Sequence, residues 1–211
     1  MGKDETLLPD RPTEQVILEA ARKVFTRKGY AAARMEDIAV EAGINRALLH
    51  YYYRSKEKLF EMVFDENIRM FYGNFISILN TPTPFDIRIR NLVAAEVDML
   101  IQHPDLPLFV INEISRNPGL LDGKINLLPV KEFMSTIARV LDEEAAKGTI
   151  RRVQPHHVML HLMSLCVFPF MARPMFLAIS GIPAPQFDVL MQERKAVIAQ
   201  TILDMLKPER P

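Results

Sequence analysis

The stretch from residue 35 to residue 59, MEDIAVEAGINRALLHYYYRSKEKL, constrains the fold more than any other part of the chain. Its first apolar residues recur at helical spacing as far as Gly43, a residue type that readily adopts the left-handed conformation that ends helices. Asn45 is a favourable N-cap for a second helix over residues 46–53. The turn between the two is then about three residues long, the length that a helix-turn-helix uses. Ser55 caps a third predicted helix.

The second of these helices carries side chains suited to nucleic acid. Arg46, His50, Tyr51 and Tyr52 offer donors for base edges or phosphates. Lys56 falls in the first turn of the next helix, where a cation opposes the helix dipole, and an external phosphate would explain its placement. The alternative is a helical hairpin packed in a core. The four adjacent residues 50–53, one histidine and three tyrosines, point around most of a helix, however, so some of them must face water.

The same stretch resembles the DNA-binding region of the TetR family of bacterial one-component repressors. The matching residues are Asp37, Ile38, Ala39, Ala42, Gly43, Ile44, Asn45, Leu49, Tyr53, Ser55, Lys56, Glu57 and Leu59. The spacings agree without a gap, whereas the rest of the chain fits the family only in length and helicity.

Three residues depart from the family pattern and affect which operator is recognised. Arg34 stands close to where the family has a capping Thr or Ser, and it could replace the lost phosphate contact with a charged one. Ala47 replaces a Gly and His50 replaces a Tyr. The residues and the resemblance together predict these contacts to a double-stranded, pseudo-palindromic operator: Arg34, Asn45, Arg46, Ala47, His50, Tyr51, Tyr52 and Lys56.

The rest of the chain shows helical periodicity punctuated by Pro and Gly, with no strand-like alternation. We predict an all-α protein of nine helices, with an N-terminal three-helix helix-turn-helix head and a six-helix ligand-binding and dimerisation body. The last two helices are expected at about residues 155–179 and 185–206. We expect residues 1–11 to be a mobile arm, residues 12–58 the DNA-binding domain, and residues 59–207 the effector-binding and dimerisation domain.

Composition agrees with this division. Apolar residues make up 49% of the 211 residues, enough for a sizeable core. The net charge is zero, yet residues 11–58 carry four more basic than acidic residues, which suits docking on DNA. Cys166 is the single cysteine and favours a reducing cytosol. The N-terminus lacks the apolar core of a signal peptide, and the apolar run over residues 158–179 is interrupted by Pro and Arg. We therefore expect a cytoplasmic protein without a membrane partner.

Catalytic motifs are not found. The sequence contains no phosphate-binding glycine loop, Gly-x-Ser-x-Gly elbow or His-Glu-x-x-His motif, so we expect neither an enzyme nor a cofactor. His157 and His161 share a helical face, but two ligands do not make a metal site, and we predict none. Glu96 and Asp98 could be polar groups in a pocket, but we interpret them as part of a solvated helix face.

The resemblance also implies an effector cavity and a dimer. The residues that would line the cavity, with His161 or a nearby polar residue as anchor, are Phe64, Phe71, Phe109, Phe133, Ile137 and His161. The last two helices would pair with their copies in a homodimer through Leu165, Phe168, Met171, Leu190, Met191, Val197 and Ile198. We expect a repressor released by an uncharged or weakly anionic hydrophobic compound. The alternatives are a DNA-binding dimer without an effector, whose body only binds protein, and an all-helical enzyme.

Overall fold

The structure is a computed structural model that describes residues 13–116, 118–120 and 129–208, with the side chains in these ranges except those of residues 70, 71 and 120. Every regular element in these ranges is helical, which confirms the all-α prediction. The expected arm at residues 1–11 lies outside the described residues, and so does the side chain of Phe71. The chain forms two compact units, one ending at Glu66 and one beginning at Asn67. The predicted boundary between residues 58 and 59 stays a prediction.

The N-terminal unit contains three helices and the beginning of a fourth. Its core is apolar and includes Ile17, Phe25, Ile38 and Leu49, all fully buried. Gly29 interrupts the first helix with a φ of 70° and kinks it. The helices are α1 (Thr13–Ala32), α2 (Met35–Ala42), α3 (Arg46–Tyr52) and α4 (Lys56–Leu79), and α4 continues into the C-terminal unit.

The C-terminal unit is built around α5 and α11, which pack along each other. Asp98 on α5 accepts hydrogen bonds from Gln192 and Lys195 on α11 and so joins the two helices at their surface. The elements after α4 are α5 (Phe85–Gln102), α6 (Leu106–Arg116), a 3-10 turn (Pro118–Leu120), α7 (Val130–Ala146), α8 (Pro155–Leu162), a π turn (Met163–Val167), α9 (Phe168–Met171), α10 (Arg173–Ser180) and α11 (Ala184–Leu206).

The single helix predicted over residues 155–179 is wrong. The chain there forms α8, the π turn, α9 and α10, with a bend of 68° before Arg173. Pro169 and Pro174 explain the break, because proline lacks the amide N–H that a continuous helix requires. No one helix in the described ranges has the length and apolar character to cross a bilayer; Pro155–Met171 and Arg173–Ser180 meet those criteria only when taken together as a bent pair.

A buried ion pair ties α5 to α7. The Arg88 guanidinium donates to the Glu144 carboxylate at 2.9 Å and to the Leu79 carbonyl at 3.1 Å. Glu144 also accepts hydrogen bonds from Lys147 and Thr149, and these cations and donors lower the pKa of its carboxyl, Lys147 most of all. The charges are therefore paired inside the fold, as buried charges must be.

Candidate DNA-binding surface and effector cavity

The helices of the helix-turn-helix region are capped by the residues that the sequence indicated. Gly43 ends α2 in the left-handed conformation, with a φ of 67°. The Asn45 side chain accepts a hydrogen bond from the Leu48 amide at 2.8 Å and so caps α3. Ser55 Oγ accepts from the Lys58 amide at 3.2 Å at the start of α4. These three predictions are confirmed, and the turn between α2 and α3 is as short as expected.

One face of α3 is fixed in the N-terminal unit. Leu49 is fully buried, and Tyr53, which follows the helix, is 3% exposed. The Tyr53 hydroxyl donates to the Glu14 carboxylate of α1 at 3.2 Å. Burial, reinforced by Glu14, raises the pKa of Tyr53 far above its ordinary value, so this phenol stays neutral. The buried side of α3 determines which of its side chains remain outside.

The opposite face of α3 is open to solvent. Arg46 and Ala47 are exposed, and Tyr51 is 80% exposed with its ring edge-on to that of Tyr52 at 5.4 Å. His50 is half-buried, and its Nε2 lies 3.5 Å from Arg46 Nε, so the imidazole accepts a hydrogen bond from the guanidinium. The predicted contact residues of α3 therefore share one accessible surface that offers cationic, hydroxyl and methyl groups.

Two residues of α2 and its N-cap are also exposed, and one of them was not predicted. Arg34 is exposed at the N-cap of α2, where its backbone amide donates to Asp37 at 3.0 Å. Asp37 also pairs with Lys28, and that lysine is the main cause of its lowered carboxyl pKa. Val40 is apolar yet 77% exposed. The sequence signal for Val40 is its position opposite Ile38 on a short amphipathic helix.

Lys56 has a structural role that the sequence interpretation missed. Its ammonium donates to the carbonyls of Tyr30 and Ala33 at 2.9 and 3.0 Å and lies 4.4 Å from the centre of the Tyr30 ring. These carbonyls belong to the C-terminal end of α1, where a cation is favourable. The placement of Lys56 therefore has a cause inside the protein, and no external phosphate is required to explain it.

A mainly apolar cavity of about 110 Å³ lies within the C-terminal unit. Helices α4, α5, α6, α7 and α8 and the π turn contribute to its wall. Its lining residues are Asn67, Ile68, Tyr72, Phe75, Glu96, Met99, Leu100, Leu106, Pro107, Val110, Ile111, Phe133, Met159, Leu162, Met163 and Val167.

Three polar side chains enter this apolar wall. Asn67 is 2% exposed, and neither its amide nitrogen nor its amide oxygen has a hydrogen-bond partner. Glu96 is also 2% exposed, and burial raises the pKa of its carboxyl to about 8 even though the Cys166 thiol, hydrogen-bonded to it, opposes the shift. Burial first, and Glu96 second, raise the pKa of Tyr72. The interpretation of Glu96 as a solvated residue is therefore wrong, whereas Asp98 does lie at the surface.

The predicted cavity residues are only partly brought together. Phe133 lines the cavity, with its ring 5.4 Å from that of Tyr72. Phe64 belongs to the N-terminal unit, where it stacks on Phe60. Three further predicted residues do not line this cavity: Phe109 and Ile137, which are buried elsewhere, and His161, whose Nδ1 lies 2.7 Å from the His157 carbonyl. The register of α8 turns Met159 and Leu162 toward the cavity in place of His161.

The predicted dimer residues also divide into two groups. Phe168 and Val197 are 57% and 58% exposed, and Leu165, Met171 and Leu190 are half-buried. Met191 and Ile198 are 3% and 1% exposed and belong to the core of the chain's own C-terminal unit, so they leave almost no surface for a partner to contact. Between the start of α8 and the end of α11, the exposed large apolar residues that the prediction omitted are Leu160, Met163, Met175, Phe176, Ile179 and Val189.

Metal ligands do not converge in the part of the chain that the structure describes. No group of three or more His, Cys, Asp or Glu residues there has a geometry that could hold an ion.

Comparison with known proteins identifies both units. Residues 17–63 match the family described as bacterial regulatory proteins, tetR family, and residues 87–203 match the tetracyclin repressor-like C-terminal domain. The chain is 30% identical over 159 residues to the HTH-type transcriptional repressor NicS of Pseudomonas putida, a match that covers 74% of each chain. It is 24% identical over 158 residues to the repressor KstR2 of Mycolicibacterium smegmatis, covering 69% of this chain and 73% of KstR2.

Solved structures share the fold. The regulator FadR of Bacillus subtilis, solved in complex with stearoyl-CoA, superposes with a TM-score of 0.67 at 14% identity and covers 91% of this chain and 98% of its own. The fatty acid degradation regulator FadR of Bacillus halodurans superposes with a TM-score of 0.66 at 19% identity and covers 96% of this chain and 100% of its own. At these identities the likeness concerns the fold alone.

Proposed function

Because the chain belongs to the TetR family of bacterial regulatory proteins, we propose that it is a homodimeric repressor that a small hydrophobic compound releases from its operator. The observation that carries the DNA-binding part is the solvent face of α3. Arg46, Ala47 and Tyr51 are exposed together on a helix whose opposite side is anchored by Leu49. Two relatives, NicS and KstR2, are repressors by name, which supports repression as the direction of control.

The contacts to DNA divide by chemistry. Arg46 is the proposed reader of a base edge, because arginine bound through two hydrogen bonds to guanine is the commonest specific contact. Ala47 offers a methyl group to a thymine methyl, and His50, Tyr52 and Asn45 complete the surface. Arg34 and Tyr51 are proposed to bind phosphates, which position the helix in the groove without reading sequence. Lys56 contributes charge near the backbone while its ammonium is held by the carbonyls of α1.

A dimer follows from the small size of the reading surface. One recognition helix contacts few base pairs, and two copies on a pseudo-palindrome place their helices in successive major grooves. Exposed apolar side chains on α9, α10 and α11, including Phe168, Ile179, Val189 and Val197, support these helices as the interface. We infer that the C-terminal unit both dimerises and holds the effector, and that the protein acts in the cytoplasm, where its operator lies.

Release from DNA is proposed to work by population shift. A compound bound in the cavity favours a conformation of the dimer in which the two recognition helices no longer fit successive grooves. The mainly apolar wall with a few polar groups is typical of small-molecule sites and supports an effector. The second candidate, a DNA-binding dimer without an effector, would leave the unpartnered Asn67 amide without a role.

Selection from a random double-stranded DNA library, followed by footprinting, tests the DNA-binding proposal. The recovered site should be a pseudo-palindrome, and Arg46→Ala should weaken binding by about 1–3 kcal/mol and relax the preference at one base pair in each half-site. Arg152→Ala is the matched control, because it removes the same charge from an exposed position in the C-terminal unit. Equal loss in both variants, or no loss in Arg46→Ala, would contradict the assignment of α3.

A further inference from the structure

The Asn67 side chain is unusual among the buried polar groups of the C-terminal unit. It lines the cavity at 2% exposure, and both polar atoms of its amide lack a hydrogen-bond partner. Buried amides are nearly always hydrogen-bonded, because an unpaired buried donor or acceptor destabilises the fold. The amide therefore presents a donor and an acceptor, side by side, to whatever occupies the cavity.

Glu96 adds a second polar group that is uncharged near neutral pH. Its carboxyl lies against the Cys166 thiol, and burial raises its pKa to about 8. A protonated carboxyl, like an amide, carries one donor and one acceptor. Among the described residues that line the cavity there is no Lys, Arg or His, so this part of the wall offers no cation to pair with an anion.

The volume limits the size of the occupant. The cavity measures about 110 Å³, of the same order as a cavity of about 150 Å³ that binds benzene in another protein. Phe75, Phe133 and Tyr72 line it and offer flat faces to a ring. A long acyl chain exceeds this space.

We propose that Asn67 and Glu96 anchor a compact, uncharged ligand, about the size of one six-membered ring, that carries a hydrogen-bond donor beside an acceptor. This inference rests on the proposed function, since the ligand would be the effector that releases DNA. A carboxamide or lactam on a ring is the simplest chemical class that pairs with an amide and a protonated carboxyl. The proposal keeps the uncharged alternative of the expected uncharged or weakly anionic compound, and it takes Asn67 and Glu96 as the polar anchors in place of His161.

Binding of five probes to the purified full-length protein tests the ligand class. Benzamide carries the ring, the donor and the acceptor; toluene carries only the ring; benzoate and benzylamine bring a negative and a positive charge. Decanamide carries the same amide on a long chain. Thermal shift and calorimetry should rank benzamide first by at least about tenfold, the ratio that one good hydrogen bond gives. Tighter binding of benzoate, benzylamine or decanamide, or no binding of any probe, overturns the proposal.

Two variants test the anchors. Asn67→Leu replaces the unpartnered amide by an apolar side chain of similar volume, so it should raise the melting temperature by a few degrees and weaken benzamide at least about tenfold while sparing toluene. Glu96→Gln keeps an uncharged donor and acceptor, so benzamide affinity should change by less than about threefold. Unchanged benzamide binding in Asn67→Leu overturns the proposal. If Asn67→Leu does not fold, loss of benzamide in a folded Glu96→Gln protein overturns it instead.

Operator release is measured separately on the selected DNA site. Benzamide that binds wild type but not Asn67→Leu supports the anchors whether or not DNA is released. Binding without release would contradict the effector role in the proposed function and leave the ligand class supported. If the unliganded wild-type protein does not bind DNA, that result would contradict the proposed function but not the ligand class.

Discussion

Replacing Glu96 with Gln should change how the stability of the protein depends on pH. Burial raises the pKa of this carboxyl from 4.5 to about 8 in the folded protein. The folded state therefore retains a proton that the unfolded chain releases. The contribution of Glu96 to stability is complete below about pH 4.5 and is lost as the pH rises toward 8, above which it changes no further. Glutamine has a similar shape and does not titrate, so the variant lacks this loss.

The magnitude follows from the size of the shift. Between the two pKa values the free energy of unfolding of the wild type falls relative to that of Glu96→Gln by about 1.4 kcal/mol per pH unit. Between pH 5.5 and pH 7.5 the difference should therefore grow by about 2–3 kcal/mol. Tyr72 and Cys166 are the titratable groups beside Glu96, and their pKa values are raised as well, so neither becomes charged in this window.

Urea denaturation at one protein concentration, at pH 5.5 and at pH 7.5, measures this difference. Glu132→Gln is the matched control, because it removes an exposed carboxylate from α7 and should give nearly the same difference at both pH values. A Glu96→Gln protein whose stability relative to wild type is equal at the two pH values would refute the assignment of a protonated, buried carboxyl. A relative stability that falls with rising pH would refute the sign.

Three further perturbations have outcomes that the structure determines. Lys56→Met should lower the free energy of unfolding by about 1.5–3 kcal/mol, because it removes the charged hydrogen bonds from Lys56 to the carbonyls of Tyr30 and Ala33. The exposed control Lys58→Met should change it by less than about 0.5 kcal/mol, and equal effects of the two variants in denaturation would refute the role of Lys56 as a cap. Val197→Glu should give a folded monomer in sedimentation and circular dichroism, whereas Ile198→Glu, at a buried position, should not fold. A folded Val197→Glu dimer would exclude the exposed face of α11 as the dimer interface. Arg88→Met should cost about 1.5–3 kcal/mol in thermal denaturation, because the buried Glu144 carboxylate loses one charged hydrogen bond and keeps those from Lys147 and Thr149; a cost below about 0.5 kcal/mol would contradict this.

The helix-turn-helix could be predicted from sequence because its signals are local. Gly43 ends a helix by its own backbone freedom, and Asn45 and Ser55 cap the next two with their own side chains. Each of these effects acts within three or four residues along the chain. None of them depends on how distant helices pack, so the prediction and the structure agree at these positions.

The inward face of α11 could not be determined in the same way. Leu190 and Met191 are adjacent, as are Val197 and Ile198, so apolar residues of this helix span more than one row. Periodicity alone does not decide which row meets the core when the apolar band is this wide. Packing against α5 turns Met191 and Ile198 inward and leaves Val197 exposed. Which row of α11 is buried therefore depends on how α11 packs against α5, and the sequence of α11 alone does not determine it.

Two polar residues of α5, Arg88 and Glu96, lie in the same apolar stripe, but only one of them is paired with an opposite charge. Glu96 follows Leu92 by four residues and precedes Leu100 by four, so it lies within the apolar stripe of α5 and should have been interpreted as buried. Arg88 interrupts the same stripe about two helical turns before Glu96, and there the fold supplies Glu144 as a partner. The position of a polar residue inside an apolar stripe thus predicts that it is buried. Only the tertiary structure shows whether another residue of the protein supplies its hydrogen-bond or charge partner.

Asn67 is the case in which the fold supplies no partner. It is buried on α4 beside Ile68, and its amide faces a cavity instead of another side chain. An ion pair such as that of Arg88 fixes two helices to each other, whereas an unpartnered amide destabilises the unliganded protein and becomes favourable only when a ligand completes its hydrogen bonds. The difference between the two positions is therefore a physical criterion for separating structural polar groups from binding groups. By this criterion Asn67 is the residue of the cavity whose replacement should affect the ligand more than the fold.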